Sequence, residues 1–189
     1  MTLILASSSP RRRELLSELG ISFDVRPCAL NEPNWRPPAL HVRAWAAALA
    51  YFKARYVAEH APGFWTLGAD TLVACNDEWL GKPYDLNDAR RMLELQAGRA
   101  TDVVTGVALV RHDETTERRI LCETTRVWMK DDAAEREAYL AGGEWSGKAG
   151  AYGIQDQADR LVERWEGSFS NVVGLPVETV RRMLAEVMP

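Results

Sequence analysis

Serine and arginine side chains are concentrated in one short segment near the N-terminus. The residues from Ser7 to Arg13 read Ser-Ser-Ser-Pro-Arg-Arg-Arg and follow an apolar run from Leu3 to Ala6. A strand that enters a helix through such a loop presents backbone N–H groups and hydroxyls to an anion. A guanidinium group can donate two parallel hydrogen bonds to the oxygens of one phosphate. Because neighbouring residues on a helix are about 100° apart, at most two of the three arginines can face one ligand. The segment predicts an anion site, with a capped surface helix and solvated arginines as the alternative.

Asp70 stands in the middle of an otherwise apolar run, Trp65 to Cys75, which predicts a strand. A carboxylate is expensive to bury unless it binds a metal, pairs with a cation or titrates for a purpose. Glu32 lies in a proline-bounded loop and becomes relevant only if the fold brings it beside Asp70. The alternative for Asp70 is an aspartate at a strand end or sheet edge that caps a turn.

Two lysines and a glycine-rich segment are further candidates. Lys82 lies between a glycine and a proline on a predicted turn, and Lys53 lies on a predicted helix, so each also fits an ordinary surface lysine. The segment from Gly147 to Gln155 has the spacing of neither the GxxxxGK[ST] phosphate loop nor the GxGxxG fingerprint. Its glycines allow either a close approach of the backbone to a ligand or simply tight turns.

The composition excludes several classes of protein. The 189 residues are 47% hydrophobic and 26% charged, which is typical of a folded protein, and we expect one domain over residues 1–189. A net charge of −4 gives no basic footprint for nucleic acid, so an anionic ligand needs a local cluster of positive charge. The 3 cysteines and 3 histidines are scattered, which argues against a disulfide framework, a zinc site and a nucleophilic triad.

The N-terminal sequence and the hydropathy predict a location. The first apolar run is short, and the positively charged residues come after it. In a signal peptide the positively charged residues come before the apolar run. No stretch of about 18 apolar residues predicts a transmembrane helix. We therefore expect a soluble, cytoplasmic protein without a membrane partner.

Apolar periodicity predicts helices and strands without strict βαβ alternation. Strands are expected at 3–6, 23–27, 65–75, 101–110 and 119–129, with a second short run after the turn at 76–78. Helices are expected at 10–19, 39–59, 86–95, 133–141 and 177–187, and a loop at 142–157. The long runs 101–110 and 119–129 predict an antiparallel hairpin. These elements favour an α/β fold with a mixed, partly antiparallel sheet.

Five segments, in this order, resemble the Maf family of nucleotide pyrophosphatases: ASSSPRRRELL, LGADTLV, GKP, KAGAYGIQ and SNVVGLP. The resemblance runs from Leu3 to the last predicted helix. It implies hydrolysis of a nucleoside triphosphate to the monophosphate and pyrophosphate, with a divalent metal cation (Mg²⁺ or Mn²⁺). It also implies an elongated α/β, ITPase-like fold with a mixed sheet, flanking helices and a central cleft, and often a homodimer.

The resemblance to the Maf family assigns roles to single residues. Asp70 matches the catalytic residue that accepts a proton from the attacking water, and Glu32 matches an acidic residue assigned to the metal, so both are candidate metal ligands. Six residues fall at or beside phosphate-binding positions: Ser7, Ser9, Arg12, Arg13, Lys53 and Lys82. Three more, Arg11, Thr71 and Gln155, match the branch that prefers dTTP and UTP over 7-methyl-GTP.

The chemistry of glutamine agrees with that branch. A glutamine amide both donates and accepts, so Gln155 can pair with the O4 and N3–H edge of uracil or thymine. A glutamate there would only accept and would favour guanine. Modified pyrimidine nucleotides fit the same edge, and either Asp70 or a neighbour could activate the water. Two other functions stay open: a nucleotide-binding regulator of cell division with little catalysis, and an enzyme that releases orthophosphate.

Overall fold

The computed structural model describes residues 2–30, 40–155 and 160–188 of the chain. Within these ranges the strands are β1 (Leu3–Leu5), β2 (Phe23–Val25), β3 (Trp65–Cys75), β4 (Glu78–Leu80), β5 (Ala100–His112), β6 (Thr116–Met129) and β7 (Val162–Glu166). The helices are α1 (Pro10–Ser17), α2 (Val42–Glu59), α3 (Leu86–Gln96), α4 (Ala133–Gly142), α5 (Phe169–Val173) and α6 (Val177–Val187), with a short 3₁₀ turn at Ala149–Ala151.

The strands form a mixed sheet. Its order is β2-β1-β3-β5-β6-β7, and β4 pairs with β3 beside this path. β1 is parallel to β2 and to β3, where Leu5 lies opposite Leu67. β3 and β4 pair antiparallel, as do β6 and β7. The α/β fold with a mixed, partly antiparallel sheet is therefore confirmed.

Most predicted elements are present with boundaries shifted by a few residues. The sequence assigned nothing between residues 157 and 177, where the structure has β7 and α5. β7 is an edge strand whose last four residues are all exposed, so it lacks the alternation by which a strand is recognised. α5 has only 5 residues, too few to show helical periodicity.

The chain separates into two compact units. Unit 1 contains Met1–Asp70, Thr105–Glu123 and Gly174–Pro189, and unit 2 contains Thr71–Val104 and Thr124–Val173. The long strands β3, β5 and β6 contribute residues to both units. The single domain expected from chain length stays a prediction. No helix in the described part of the chain is long and apolar enough to cross a membrane.

In unit 1, small residues let α2 lie directly on the sheet. Ala50, Ala54 and Ala58 form a buried cluster with Ala108 and Val110 of β5. A Cβ at Gly106 would lie 2.2 Å from the carbonyl oxygen of Ala46, so helix and strand backbones are in contact at this point. This contact holds α2 at a fixed distance from the sheet, which matters for the side chains that α2 presents.

In unit 2, α3 begins and is buried as its sequence indicates. Asp85 is the N-cap, and its carboxylate accepts a hydrogen bond from the backbone N–H of Asp88 at 2.8 Å. The buried face of α3 contains Ala89, Met92, Leu93 and Gln96. A fully buried glutamine on an otherwise apolar face is unusual, and its amide must find partners inside the protein.

Candidate active site

Asp70 and Lys53 form a largely buried ion pair in unit 1. Asp70 lies within β3 with its side chain 7% exposed, and Nζ of Lys53 on α2 donates to its Oδ1 at 2.5 Å. The ammonium group offsets the cost of burying the carboxylate. Asp70 is therefore not a strand-end residue that caps a turn, the alternative that its sequence left open. Lys53, expected at a phosphate, contacts the predicted catalytic carboxylate in this structure.

The spacing of small residues around this pair explains how two elements bring it together. Gly68 and Asp70 are two apart on β3, so they project to the same face of the sheet. A Cβ at Gly68 would lie 2.4 Å from the carbonyl oxygen of Ala50 and 2.7 Å from the backbone nitrogen of Ala54. Lys53 stands between these two alanines in sequence, so the close approach of α2 at Gly68 sets the distance from Lys53 to Asp70.

Lys53→Met tests the importance of this ion pair for the fold. Removal of the ammonium group leaves the Asp70 carboxylate buried without this partner, so we expect a loss of about 2 to 4 kcal/mol in the free energy of unfolding. Arg55→Met, on the same helix, breaks an exposed pair with Glu59 and should have no measurable effect. Urea unfolding of both variants measures the difference, and equal midpoints for them would contradict a buried pair.

The serine loop before α1 is organised by its own side chains. Ser9 is the N-cap, and its Oγ accepts a hydrogen bond from the backbone N–H of Arg12 at 3.4 Å. Oγ of Ser7, a buried residue, accepts from the backbone N–H of Ser9 at 3.2 Å. Both hydroxyls act as acceptors in these bonds, so their hydrogens can be directed toward an anion. Pro10 occupies the first helical position, as the sequence indicates.

The three arginines of α1 differ in their surroundings. Nε of Arg12 donates to the carbonyl oxygen of Gly174 at 2.8 Å, across 162 positions of sequence. Arg11 and Arg12 are half-buried, whereas Arg13 is exposed. Gly174 precedes Leu175 and Pro176 in the SNVVGLP segment. This segment therefore helps to hold the guanidinium group of Arg12 in place.

The remaining predicted site residues belong to unit 2. Thr71 follows Asp70 on β3 and is half-buried. Lys82 and Gln155 are exposed, each in a loop. A backbone hydrogen bond of 2.9 Å from Gly150 N–H to the carbonyl oxygen of Gly81 joins their two loops. Glu32, the predicted metal ligand, lies outside the described residues.

Lys148 in the glycine-rich segment was not singled out by the sequence, and the structure buries it. The residue is 7% exposed, and a Cβ at Gly153 would lie 2.9 to 3.0 Å from the end of its side chain. A lysine between a glycine and an alanine carries no signal of burial, so only the fold reveals it. Nearby, burial raises the pKa of the Tyr152 phenol, which keeps it neutral and unsuited to act as a base.

Two of the three cysteines are poor candidates for a nucleophile. Cys28, Cys75 and Cys122 are all free thiols. Burial raises the pKa of Cys75 and that of Cys122, which disfavours the reactive thiolate. These surroundings disfavour covalent catalysis by Cys75 or Cys122.

A divalent cation is implied by the resemblance of the sequence, and Asp70 suits one. Its carboxylate is a hard oxygen donor, the type that Mg²⁺ and Mn²⁺ prefer. Magnesium sites in nucleotide enzymes commonly use one or two carboxylates and take their other ligands from water and phosphates. Within the described ranges no group of three or more His, Cys, Asp or Glu could hold a metal by itself. Asp70 therefore fits as one carboxylate ligand of such a cation.

Comparison with known sequences gives matches over nearly the whole chain. The family model described as "Maf-like protein" matches residues 2–187. The dTTP/UTP pyrophosphatase of Moorella thermoacetica is 45% identical over 185 residues, which are 97% of this chain and 93% of that protein. The dTTP/UTP pyrophosphatase of Myxococcus xanthus is 48% identical over 181 residues, 94% of this chain and 89% of that protein.

Two solved structures share the fold at low sequence identity. A nucleoside-triphosphatase, or dITP/XTP pyrophosphatase, from Mycobacterium abscessus aligns with a TM-score of 0.51 at 16% identity, covering 100% of this chain and 98% of that one. A HAM1 protein from Coxiella burnetii aligns with a TM-score of 0.57 at 13% identity, covering 99% and 100%. These similarities confirm the ITPase-like fold, and a shared fold alone does not establish a reaction.

Proposed function

The chain belongs to the Maf-like protein family, and we propose that it hydrolyses dTTP and UTP to the nucleoside monophosphate and pyrophosphate. The observation that carries this proposal is the buried Asp70 carboxylate held at 2.5 Å by Lys53. Cleavage of a polyphosphate needs a base for water and fixed cations, and this pair supplies one of each. Relatives named dTTP/UTP pyrophosphatase support the substrate class. Removal of unwanted pyrimidine nucleotides, canonical or modified, is the house-cleaning role that follows.

In the proposed mechanism Asp70 accepts a proton from water while the water oxygen bonds to the α-phosphorus. The bond from the α-phosphorus to the oxygen that bridges to the β-phosphorus breaks, and pyrophosphate leaves with that oxygen. Lys53 fixes the carboxylate through Oδ1, so that its orientation does not depend on substrate. A divalent cation, when bound, neutralises phosphate charge. Asp70 and Glu32 would share the metal-binding and base functions.

The phosphates are assigned to the positive and hydroxyl groups that the family resemblance indicates. Arg12 is the best supported of these, since Gly174 fixes its Nε and thereby the plane of its guanidinium group. The other proposed phosphate ligands are Ser7, Ser9, Arg13, Lys53 and Lys82. The exposure of Lys82 leaves its ammonium group accessible to a polyphosphate.

We assign recognition of the base to Gln155, with Arg11 and Thr71 as further determinants. Gln155→Glu tests the assignment, because a carboxylate loses the donor that pairs with O4 of uracil or thymine. We expect kcat/KM for dTTP and UTP to fall about tenfold or more relative to that for GTP. Asn87→Asp makes the same chemical change at an exposed position on α3 and should leave the ratio unchanged. An unchanged ratio in Gln155→Glu would remove this residue from base recognition.

Pyrophosphate release from a nucleotide panel tests the proposed function. The purified protein would be assayed with Mg²⁺ and dTTP, UTP, CTP, ATP, GTP or 7-methyl-GTP. Preferential release from dTTP and UTP supports the proposal. Turnover of 7-methyl-GTP alone would keep the reaction and contradict the base assignment.

A cytoplasmic location and a homodimer are finer points of the proposal. The homodimer follows from the resemblance to the Maf family, and the cytoplasmic location from the 3 widely spaced cysteines, which suit a reducing compartment.

A further inference from the structure

Gln96, at the end of α3, is a fully buried polar side chain to which no role has been assigned so far. It is 0% exposed, and its Nε2 donates to the carbonyl oxygen of Met92 at 2.9 Å and to that of Gly150 at 2.8 Å. Both partners are carbonyl oxygens, so the NH₂ end of the amide must face them. In the described part of the chain Oε1 has no hydrogen-bond partner. A leucine would fill a similar volume without this burial cost, which points to the Nε2 bonds as the reason for an amide here.

The partner of Gln96 on the glycine-rich segment, Gly150, is held from several sides. Its N–H donates to the carbonyl oxygen of Gly81 at 2.9 Å, while its own carbonyl accepts from Gln96. Its φ of +69° favours glycine, and a Cβ would lie 2.8 Å from Cγ2 of Val73. Gly150 therefore ties three segments of unit 2 together: α3, the turn at Gly81 and the glycine-rich segment.

Two of these three segments carry residues proposed to bind substrate. Lys82 follows Gly81 directly, and Gln155 lies five positions after Gly150. Both side chains are exposed, so core packing does not hold them and the backbone of each loop determines where they point. A change in the Gly150 peptide would reach Lys82 through the hydrogen bond to Gly81, and Gln155 along the backbone that follows Gly150.

We propose that Gln96 is a positioning residue for nucleotide binding, one that acts through the Gly150 peptide on Lys82 and Gln155 together. The inference rests on the proposed function, because it takes from there the roles of those two residues. Through Gly150, the buried amide of Gln96 fixes the loop of a phosphate-binding residue, Lys82, and that of a base-binding residue, Gln155. Loss of the amide should weaken substrate binding and pyrimidine preference more than it slows the chemical step at Asp70.

Gln96→Leu tests this proposal, since it removes both donors and replaces the amide with an apolar side chain of similar volume. With dTTP we expect KM to rise about tenfold, kcat to change less than about threefold, and the preference for UTP over GTP to fall. Leu93→Ala is the matched control, because Leu93 is 1% exposed on the same helix and its side chain cannot hydrogen-bond. This control should lower Tm and leave KM and the preference unchanged.

Gln96→Glu provides a second variant with a pH signature. A buried carboxyl has a raised pKa and donates a hydrogen bond only when protonated. The ratio of its KM to that of the wild-type protein should therefore fall as pH is lowered from about 9 to about 6. A purely structural role for Gln96 would change Tm and leave this ratio constant.

The outcomes separate the inference from the function on which it rests. An active wild-type protein with unchanged KM and preference in Gln96→Leu and Gln96→Glu would overturn the role of Gln96 and leave the function standing. An equal rise of KM in Leu93→Ala would do the same. A wild-type protein that releases no pyrophosphate from any pyrimidine nucleotide would instead overturn the proposed function.

Discussion

Asp70→Asn is expected to bind dTTP about as tightly as the wild-type protein and to lose about a hundredfold or more in kcat. Asparagine keeps the shape of the side chain, and its amide oxygen can still accept the hydrogen bond from Lys53. It cannot accept a proton from water at neutral pH, so the chemical step loses its base. Single-turnover hydrolysis and calorimetric binding, measured well below the unfolding temperature, separate the two effects.

Asp102→Asn is the matched control for this variant. Asp102 also lies on a long strand and pairs with a cation, Arg126, at 2.8 Å, but its side chain is 34% exposed. The same carboxylate-to-amide change there should leave kcat and dTTP binding unchanged. Near-normal turnover by Asp70→Asn would remove Asp70 from the catalytic role, whatever its contribution to the fold.

Gly68→Ala is expected to destabilise the fold strongly and to slow turnover. The new Cβ would lie 2.4 Å from the Ala50 oxygen, a backbone atom that cannot rotate away. Helix α2 would have to move off the sheet, which costs about 3 kcal/mol or more in the free energy of unfolding. Because α2 carries Lys53, the same movement should lengthen the Lys53–Asp70 contact and reduce kcat.

Gly142→Ala, at the end of α4, is the control for this addition. Among the described residues, a Cβ there would meet no atom within 4 Å outside its chain neighbours and the backbone of its own helix. We expect unchanged turnover and equal or slightly higher stability, because alanine restricts the unfolded chain more than glycine does. Denaturant unfolding and dTTP turnover would be measured on both variants. An equal midpoint for Gly68→Ala and the wild-type protein would contradict the close approach of α2 to β3.

Local sequence patterns predicted the elements well, because periodicity and caps are local properties. The Ser9-Pro10 start of α1 and the apolar run around Asp70 were both recognised in this way. For Asp70 the apolar run left two interpretations open, a buried carboxylate with a metal or cation and an aspartate that caps a turn at a strand end or sheet edge. Which partner it has could not be predicted, since Lys53 lies 17 positions away and meets it through the packing of α2 on β3.

The unpredicted parts of the candidate site are all non-local. The contact from Arg12 to Gly174 spans 162 positions, and that from Gln96 to Gly150 spans 54. The sequence around Gln96 resembles any amphipathic helix, so only its burial distinguishes it from a surface glutamine. The burial of Lys148 is likewise not indicated by its neighbours in the sequence, a glycine and an alanine. Sequence motifs identified the loops that carry the candidate site residues. The hydrogen bonds that hold those loops in place are visible only in the folded structure.

The central claim, hydrolysis of a pyrimidine nucleoside triphosphate to monophosphate and pyrophosphate, is tested most directly by product stoichiometry. Wild-type protein would be incubated with dTTP and Mg²⁺, with Asp70→Asn as the blank, and the phosphorus-containing products followed by ³¹P NMR. We predict one dTMP and one pyrophosphate for each dTTP consumed, and neither product in the blank. Formation of dTDP and orthophosphate would contradict the claim, and binding of dTTP without any turnover would favour a nucleotide-binding regulator instead.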